Sequence, residues 1–424
     1  MKYVKAVAAA AALVTVVALT GCASGSSGSA KTLSILSNVQ PGTPQAKVQA
    51  RVVAAFEKAT GAKVKVSSAG VDIPKVYETS VAGHKEADVV MVNLADTTPQ
   101  WVKQGIAVPA SKYLSKWGLK SKILPEAQKQ WTDAKGQVMG FPYSGFVWPV
   151  WYNMALLKQA GITAVPTTTD ELLADVEKMK AADVPTLVVG GSDWSGNKLF
   201  LQIAQSYLSA KQATDVMANG GYCSASSLKG ISLFTKLRDA GLFLNGTQGY
   251  TSDQMNATFY GAKAAIMSAG SWAFASTPTA LQSDVKLGGF PIPSGSSFDK
   301  PTAFEGYTGL GFWISKNGDK SDKIDLVKKF ITSWYSPTVA AEYAQATSAP
   351  VALVSTSNSQ TFTNTVTAQA VNDLPGKVAF GVMPDTVVPA NLQDAQIRVT
   401  TEAYAPGMSA QQICSALNAI YPTK

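Results

Sequence analysis

The chain has 424 residues, of which 46% are hydrophobic and only 15% are charged. This excludes a disordered chain, which combines low hydrophobicity with high net charge, and the length indicates two or three domains. The single histidine, His84, excludes zinc sites and catalytic sites that are built from several imidazoles. The net charge of +8 is dispersed, with no cluster of Lys and Arg among aromatic residues, so we expect no nucleic-acid partner.

Residues 1–21 have the pattern of a secretion signal. Lys2 and Lys5 precede an apolar stretch that is too short for a membrane-spanning helix. The stretch ends in Leu-Thr-Gly before Cys22, which resembles the lipobox of bacterial lipoproteins, where the chain is cut before a cysteine that is then acylated. The resemblance implies that residues 22–30 are a lipidated cysteine and a flexible tether. We expect attachment through Cys22 to the extracellular face of a Gram-positive cell membrane, or else a periplasmic lipoprotein.

Beyond residue 30, short apolar strands alternate with amphipathic helices. The pattern predicts strands at 33–36, 62–66, 87–92, 186–189, 264–267 and 310–314, and helices at 44–60, 153–161, from 169, at 226–241, ending near 334, and from 337. Thr43-Pro44 and Ser336-Pro337 are typical of helix starts, and Thr168 with Glu171 forms a capping box. The alternation predicts an α/β fold in which helices cover parallel sheets.

A chain with a secretion signal could be a secreted hydrolase, and this is the first alternative class of function. A glycosidase needs two carboxylates about 5 to 10 Å apart, and no pair of acids stands at adjacent strand ends in a recognisable motif. No Gly-x-Ser-x-Gly elbow, His-Glu-x-x-His motif or P-loop occurs. We therefore expect no enzymatic activity, no cofactor and no metal.

Two cysteines remain beyond the signal, Cys223 and Cys414. An oxidising location outside the cytoplasm favours a disulfide between them, although their spacing gives no argument for the bond. The bonded and the free states both stay open at this point.

Four segments follow one another in an order that is informative. They are Phe141-Pro-Tyr with Val150-Trp-Tyr-Asn153 and the stretch to Glu171, Phe259 to Met267 with Gly270-Ser-Trp272, Phe290-Pro-Ile-Pro, and Tyr307 to Ser315. In this order they resemble the carbohydrate-binding lipoproteins of ABC importers, the broad family that includes maltose-binding protein. The resemblance runs from about Lys31 to near the C-terminus. It implies a two-lobed, periplasmic-binding-protein-like α/β fold with a hinge and a ligand cleft between the lobes.

The resemblance also implies the division of the chain and its role. Residues 31–144 and 291–335 would form lobe one, and residues 145–290 and 336–424 would form lobe two. Such a protein, a monomer, captures a sugar or oligosaccharide by hinge closure and delivers it to the transmembrane permease subunits of an ABC transporter. A polyamine, a metal or a phosphorylated compound in the same fold is the second alternative, and a surface lipoprotein without a ligand is the third.

Several ligand-binding residues are implied by position within the family pattern. Trp272, after Gly270-Ser, corresponds to a ligand-contacting ring, with core packing as the alternative. Asp193 and Trp194 follow a strand, at a position where the maltose-binding relative has an acidic residue and an aromatic ring. The alternative is an ordinary turn, because Ser-Asp-Trp-Ser-Gly is also a typical turn sequence. Asp96 corresponds approximately to a carboxylate that binds sugar hydroxyls. Phe146 stands where the family has a ligand-binding glutamate, a departure that implies different stacking and a different sugar.

The chemistry of a pyranose supports these candidates and adds others. Its apolar C–H faces suit aromatic rings, and its hydroxyl rim suits carboxylates and amides. Trp148 is a further candidate ring, beside Phe146. Asn93 and Asp96 follow the third strand, at the edge where open α/β sheets bind ligands, with a helix cap as the alternative. The remaining candidates are Glu305, Tyr307, Asn38 and Gln40; Tyr307 could instead pack at the hinge.

Overall fold

The computed structural model describes residues 31–69, 72–95, 97–354 and 362–422. The signal, the tether with Cys22, and Asp96 lie outside the described residues.

The strands are β1 Thr32–Ser37, β2 Lys63–Ser68, β3 Val89–Val92, β4 Ala107–Val108, β5 Phe141–Trp148, β6 Val150–Asn153, β7 Leu187–Val188, β8 Ile266–Ser268, β9 Val285–Gly288, β10 Thr302–Ser315 and β11 Ala379–Phe380. The helices are α1 Pro44–Thr60, α2 Ile73–Ala82, α3 Pro125–Gln130, α4 Met154–Gln159, α5 Thr169–Ala181, α6 Trp194–Ala204, α7 Ala210–Asn219, α8 Ala225–Asp239, α9 Ser252–Tyr260, α10 Thr279–Gln282, α11 Ile324–Trp334, α12 Pro337–Thr347, α13 Thr365–Asn372, α14 Leu374–Lys377, α15 Gln393–Tyr404 and α16 Ala410–Ala419.

The helix starts follow the capping signals in the sequence. The Thr43 side chain accepts a hydrogen bond from the amide of Ala46, and Pro44 occupies the first turn of α1. Thr168 and Glu171 form the capping box of α5. These side chains satisfy amide groups that have no partner within their helix, and so they fix where each helix begins.

Within the described residues the strands form two sheets. The first has seven strands in the order β11-β10-β3-β1-β2, with β4 and β5 also paired to β10. The second has four strands in the order β7-β8-β6-β9. Both sheets are mixed rather than parallel throughout as predicted, because β10 runs antiparallel to β3 and β6 runs antiparallel to β8 and β9. These antiparallel strands lie where the chain passes between the sheets.

Each sheet has its own hydrophobic core, and the two cores define two lobes. Helices α1 and α11 pack on the first sheet, around Leu33, Val52 and Phe330. Helices α5, α6, α8 and α15 pack around the second sheet. We use lobe one for the first sheet with its helices and lobe two for the second.

The chain passes from lobe one to lobe two at Pro149, between β5 and β6. It returns between β9 and β10, and it is in lobe two again by Val366 of α13. Helix α12 differs from the predicted division, which placed everything after residue 335 in lobe two. Its buried residues Ala340 and Ala344 belong to the core of lobe one, as does Leu353. A helix start at Ser336-Pro337 does not specify which core the helix joins.

The β5–β10 pair connects the lobes. Strand β10 has Ala303 in a core of lobe two and Phe312 in the core of lobe one. Its pairing with β5 shifts register between Gly306 and Leu310. A Cβ atom on Gly145 would lie 2.3 Å from the carbonyl oxygen of Gly306, so only glycine permits this close approach. The irregular, glycine-containing ladder is where a hinge between the lobes would bend.

Lobe two contains a disulfide between Cys223 and Cys414, whose Cα atoms are 5.1 Å apart. Cys223 lies just before α8 and Cys414 lies in α16, so the bond ties the C-terminal helix to the middle of the chain. The sequence had left this pairing open.

Candidate functional site

Four aromatic rings meet where β5, α6 and the loop after β8 come together. We call Phe146, Trp148, Trp194 and Trp272 the aromatic cluster. The centroids of Trp148 and Trp272 are 5.1 Å apart, those of Trp148 and Trp194 are 5.3 Å apart, and those of Trp194 and Trp272 are 5.5 Å apart. Phe146 lies 5.9 Å from Trp272. Four of the candidate rings are therefore in one place, whereas Tyr307 is not among them.

Two rings of the aromatic cluster are buried and two are exposed. Phe146 and Trp148 are buried, whereas Trp194 and Trp272 are 38% and 39% exposed. Both are among the few large hydrophobic side chains that are exposed in the described part of the chain. The two exposed indole rings, tilted by 59° to each other, lie on the two buried rings and offer apolar faces that can stack on a sugar.

Local structure holds these rings in place. The indole N–H of Trp148 donates to the Ser268 hydroxyl over 2.8 Å, which fixes the end of β5 to β8. Trp272 is the second residue of the turn that follows Gly270, and its ring folds back so far that a Cβ atom on Gly270 would lie 2.2 Å from it. A glycine at this position therefore allows Trp272 to face the other rings.

The carboxylate of Asp193 accepts hydrogen bonds from groups of the protein itself. Asp193 caps α6, and its carboxylate accepts hydrogen bonds from the amide and hydroxyl of Ser195, over 2.9 and 2.7 Å. Its second oxygen accepts from the amide of Ser252 over 2.6 Å. This is the turn chemistry that the sequence offered as the alternative. Asp193 positions Trp194, the first residue of α6, and connects it to the start of α9.

Sequence reasoning missed a charged pair beside the aromatic cluster. The ammonium of Lys198, one turn after Trp194, lies 4.7 Å from the ring centroid of Trp194 and 4.8 Å from that of Trp148. It forms an ion pair with Asp385 over 2.9 Å. The sequence signal was a lysine directly before the apolar Leu199-Phe-Leu, in a helix whose residues from 195 to 204 are all buried. A lysine in such a helix needs a charged partner or an aromatic face.

A cavity of about 250 Å³ lies next to the aromatic cluster. Lobe one contributes Gln130, Glu305, Gly306 and Thr308, and the other wall consists of residues 380–383 with Val387. Gly306 pairs with Phe146 in the β5–β10 ladder, and a Cβ atom on Gly306 would lie 3.3 Å from the Phe146 ring. The cavity therefore adjoins the aromatic cluster at the buried ring of Phe146, and amide, carboxylate and hydroxyl groups lie on its wall.

The predicted residues Glu305 and Tyr307 separate in the structure. Glu305 lines the cavity, where partial burial raises the pKa of its carboxyl and the negative charge of Glu126 adds to this. Tyr307 packs its ring against the core of lobe one, and burial raises its pKa to about 12. Its backbone amide donates to Gln130 over 2.6 Å. Tyr307 thus has the hinge-packing position that the sequence gave as its alternative.

The candidates on lobe one lie at the carboxyl edge of the parallel strands. Asn38 follows β1, and its amide donates to the carbonyl of Met91 in β3 over 3.0 Å. Gln40 is exposed two residues further on. Asn93 follows β3, and its neighbour Leu94 donates to the carbonyl of Thr308, a residue that lines the cavity. This edge therefore extends from the cavity toward solvent.

No group of three or more His, Cys, Asp or Glu side chains in the described residues could hold a metal ion. No helix in the same part of the chain has the length and apolar character needed to cross a bilayer.

The fold and the site define the class of protein. A family model for bacterial extracellular solute-binding proteins matches residues 41–341. The chain belongs to this family, as its four segments indicated. Its members are binding proteins rather than enzymes.

Solved structures confirm the predicted periplasmic-binding-protein-like α/β fold. A probable secreted solute-binding lipoprotein from Streptomyces coelicolor is 37% identical, with 93% of this chain and 99% of that chain covered and a TM-score of 0.83. A chitin oligosaccharide binding protein is 20% identical, covers 93% of this chain and 98% of its own, and has a TM-score of 0.78. The maltose-bound MalE3 of T. maritima is 15% identical, covers 92% and 98% of the two chains, and has a TM-score of 0.72.

A Brucella abortus protein named as a binding protein is 25% identical over 237 residues, which are 53% of this chain and 54% of that protein. The chain thus spans about half the length of the curated relatives that it matches.

Proposed function

We propose that the protein captures a sugar or oligosaccharide outside the cell and delivers it to the permease of an ABC importer. The observation that carries this proposal is the pair of exposed indole rings, Trp194 and Trp272, on the buried rings of Phe146 and Trp148. Flat apolar rings match the C–H face of a pyranose. Chitin oligosaccharide and maltose, which two of the structural relatives bind, are ligands of this chemistry.

The adjoining cavity supplies the polar half of a sugar site. Gln130, Glu305 and Thr308 place an amide, a carboxyl and a hydroxyl on its lobe-one wall, and these groups can bond a rim of hydroxyls. Its volume of about 250 Å³ is close to the lower end of the range of about 300–1,000 Å³ for small-molecule pockets. We infer that one sugar unit occupies the cavity and that further units extend over Trp194 and Trp272.

The arrangement of the lobes supports capture by closure. The cavity has one wall from lobe one and the other from residues 380–383 and Val387, of which Val382 and Val387 pack against the core of lobe two. A ligand that contacts both walls favours the closed state by its extra contacts, and a permease can distinguish that state from the open one. We also propose, from the Leu-Thr-Gly-Cys sequence, that a lipid on Cys22 keeps the protein at the membrane.

The test is a binding screen of the purified protein against neutral mono- and oligosaccharides, polyamines and sugar phosphates. A ligand at about one hundred times its dissociation constant adds about 2.7 kcal/mol of stability, which raises the melting temperature measurably. We expect a shift with one class of sugar, and a loss of that shift in Trp194→Ala. The matched control is Val76→Ala, which removes an exposed apolar side chain of α2 outside the site and should keep the shift. A shift with polyamines or sugar phosphates alone would overturn the carbohydrate assignment.

A further inference from the structure

Lys198 places a positive charge inside a box of aromatic rings. Its ammonium lies 4.7 Å from the centroid of Trp194, 4.8 Å from that of Trp148 and 5.9 Å from that of Phe146. The planes of Trp148 and Trp194 meet at 86°, so these rings form two perpendicular walls around the charge. All three distances lie within the range of about 6 Å in which a cation is attracted to a ring face.

The ammonium is held there firmly. Lys198 is only 6% exposed, and the carboxylate of Asp385 pairs with it over 2.9 Å. Gln205, near the end of the same helix, accepts a hydrogen bond from the amide of Val382 over 2.8 Å. Lys198 within α6 and Gln205 just after it therefore both bind the segment 382–385, and the position of the ammonium does not depend on solvent.

Perpendicular aromatic rings beside a carboxylate are the arrangement by which proteins bind quaternary ammonium ligands. In this protein the ammonium of Lys198 already occupies the box, and it already forms an ion pair with Asp385. A solute with an ammonium group would meet a buried positive charge where it needs rings and a counter-charge. A neutral sugar that stacks on the outer faces of Trp194 and Trp272 would not meet this repulsion.

We propose that Lys198 is a specificity-determining residue that excludes cationic solutes from the site by occupying its aromatic box. The proposal rests on the proposed function, because it takes the aromatic cluster as the solute site. It predicts a gain of binding on truncation: without the lysine, the three rings and Asp385 become a site for a quaternary ammonium ion.

The experiment measures binding of tetramethylammonium by calorimetry to the wild-type protein and to Lys198→Ala. We expect no measurable heat of binding for the wild type and, for the variant, affinity that is higher by about tenfold or more. Lys198→Arg keeps a cation in the box and should behave as the wild type does. Lys198→Ala with Trp194→Ala removes one wall of the box and should lose the gained affinity.

Truncation of Lys198 leaves Asp385 unpaired, which can prevent folding. The double variant Lys198→Ala with Asp385→Asn removes that charge and keeps the rings, and it should still bind tetramethylammonium more tightly than the wild type. Tetramethylammonium binding by the wild type, or its absence from both folded truncation variants, would overturn the inference. Sugar binding by the wild type is measured in a separate experiment. If no sugar bound, the titration of Lys198→Ala would still show whether the variant gains affinity for tetramethylammonium.

Discussion

The indole rings of Trp148 and Trp272 meet edge to face, with their centroids 5.1 Å apart and their planes at 76°. Trp148 ends β5 in the sheet of lobe one, and Trp272 follows β8 in the sheet of lobe two. The contact therefore lies where the chain passes between the lobes. A solute that stacks on Trp272 is thus one ring away from the β5–β10 pair, which connects the binding surface to the proposed hinge.

Replacing Trp272 with alanine should weaken ligand binding strongly and leave the fold in place. The ring is 39% exposed, so we expect a loss of unfolding free energy of about 1–2 kcal/mol. Affinity should fall by about tenfold or more, because a stacking ring at the centre of a site carries a large share of the binding energy. Calorimetry with the sugar found in the screen measures the affinity, and urea denaturation measures stability.

Trp148→Ala is the matched control, since Trp148 is a buried member of the same aromatic cluster. It should lower the unfolding free energy by about 3–5 kcal/mol. It also leaves Ser268 without the indole donor. Unchanged affinity in Trp272→Ala would remove Trp272 from the site, whatever the control shows.

The sequence could predict the rings of the site because each stands in a local pattern. Trp272 follows a glycine turn in a family segment, and Phe146 and Trp148 belong to one strand. It could not predict Lys198 as a member of the site, since α6 has no clear polar face and its partner Asp385 is 187 positions away. The wall at residues 380–387 was missed for a related reason. Only Phe380 of it belongs to a strand, and the rest contains no element longer than a three-residue 3₁₀ turn, so no periodicity marks it.

For Asp193, the sequence indicated a position near the candidate site but not the groups that its carboxylate binds. Asp193 lies beside Trp194 as expected, but local donors from Ser195 and Ser252 occupy its carboxylate. A residue that caps a helix and a residue that binds a ligand have the same sequence pattern here, and only the distances distinguish them. Helix α12 shows the same limit for the fold. Its start was predicted, but its packing in lobe one depends on contacts with α1 that are distant in sequence.

Replacing Gly145 with alanine should impair the hinge. The added Cβ atom would lie 2.3 Å from the Gly306 carbonyl oxygen and 2.9 Å from the Tyr307 ring, so β5 and β10 would have to separate. We expect a loss of about 1–3 kcal/mol of unfolding free energy, together with weaker sugar binding. Gly249→Ala is the control, because a Cβ atom there meets open space. Equal stability and affinity in both variants would contradict the tight approach at the hinge.

The Glu305 carboxyl should make stability depend on pH. Its raised pKa means that the folded protein holds the proton more tightly than the unfolded chain, so stability falls as pH rises through this window. Glu305→Gln removes that loss. The stability of the variant relative to the wild type should therefore increase as pH rises above about 4, the ordinary range of a glutamate carboxyl, as measured by calorimetric melting at several pH values.

Glu126 provides the control for this pH dependence, since its negative charge contributes to the raised pKa of Glu305. Glu126→Gln should reduce the pH dependence without abolishing it, because burial is the larger cause. A relative stability of Glu305→Gln that decreases as pH rises would show that the folded protein favours the ionised carboxylate instead.

Loss of the disulfide should lower stability without changing affinity. The bond closes a loop across 191 positions, and its removal in Cys223→Ala with Cys414→Ala should lower the unfolding free energy by about 2–4 kcal/mol. Helices α8, which begins just after Cys223, and α16, which contains Cys414, pack in the core of lobe two, and neither contributes a residue to the aromatic cluster or to the cavity wall. Urea denaturation with and without a reducing agent checks the first part, and sugar calorimetry checks the second. A large change in affinity would contradict this separation.

We propose above all that the site binds a neutral sugar on the exposed faces of Trp194 and Trp272. Isothermal titration calorimetry of the purified protein tests it most directly, with neutral saccharides, polyamines and sugar phosphates titrated side by side and with Trp272→Ala measured against the ligand that binds. The predicted result is saturable binding of one class of saccharide that Trp272→Ala weakens by about tenfold or more. Saturable binding of a polyamine or a sugar phosphate without binding of any saccharide, or saccharide binding that Trp272→Ala leaves unchanged, would contradict it.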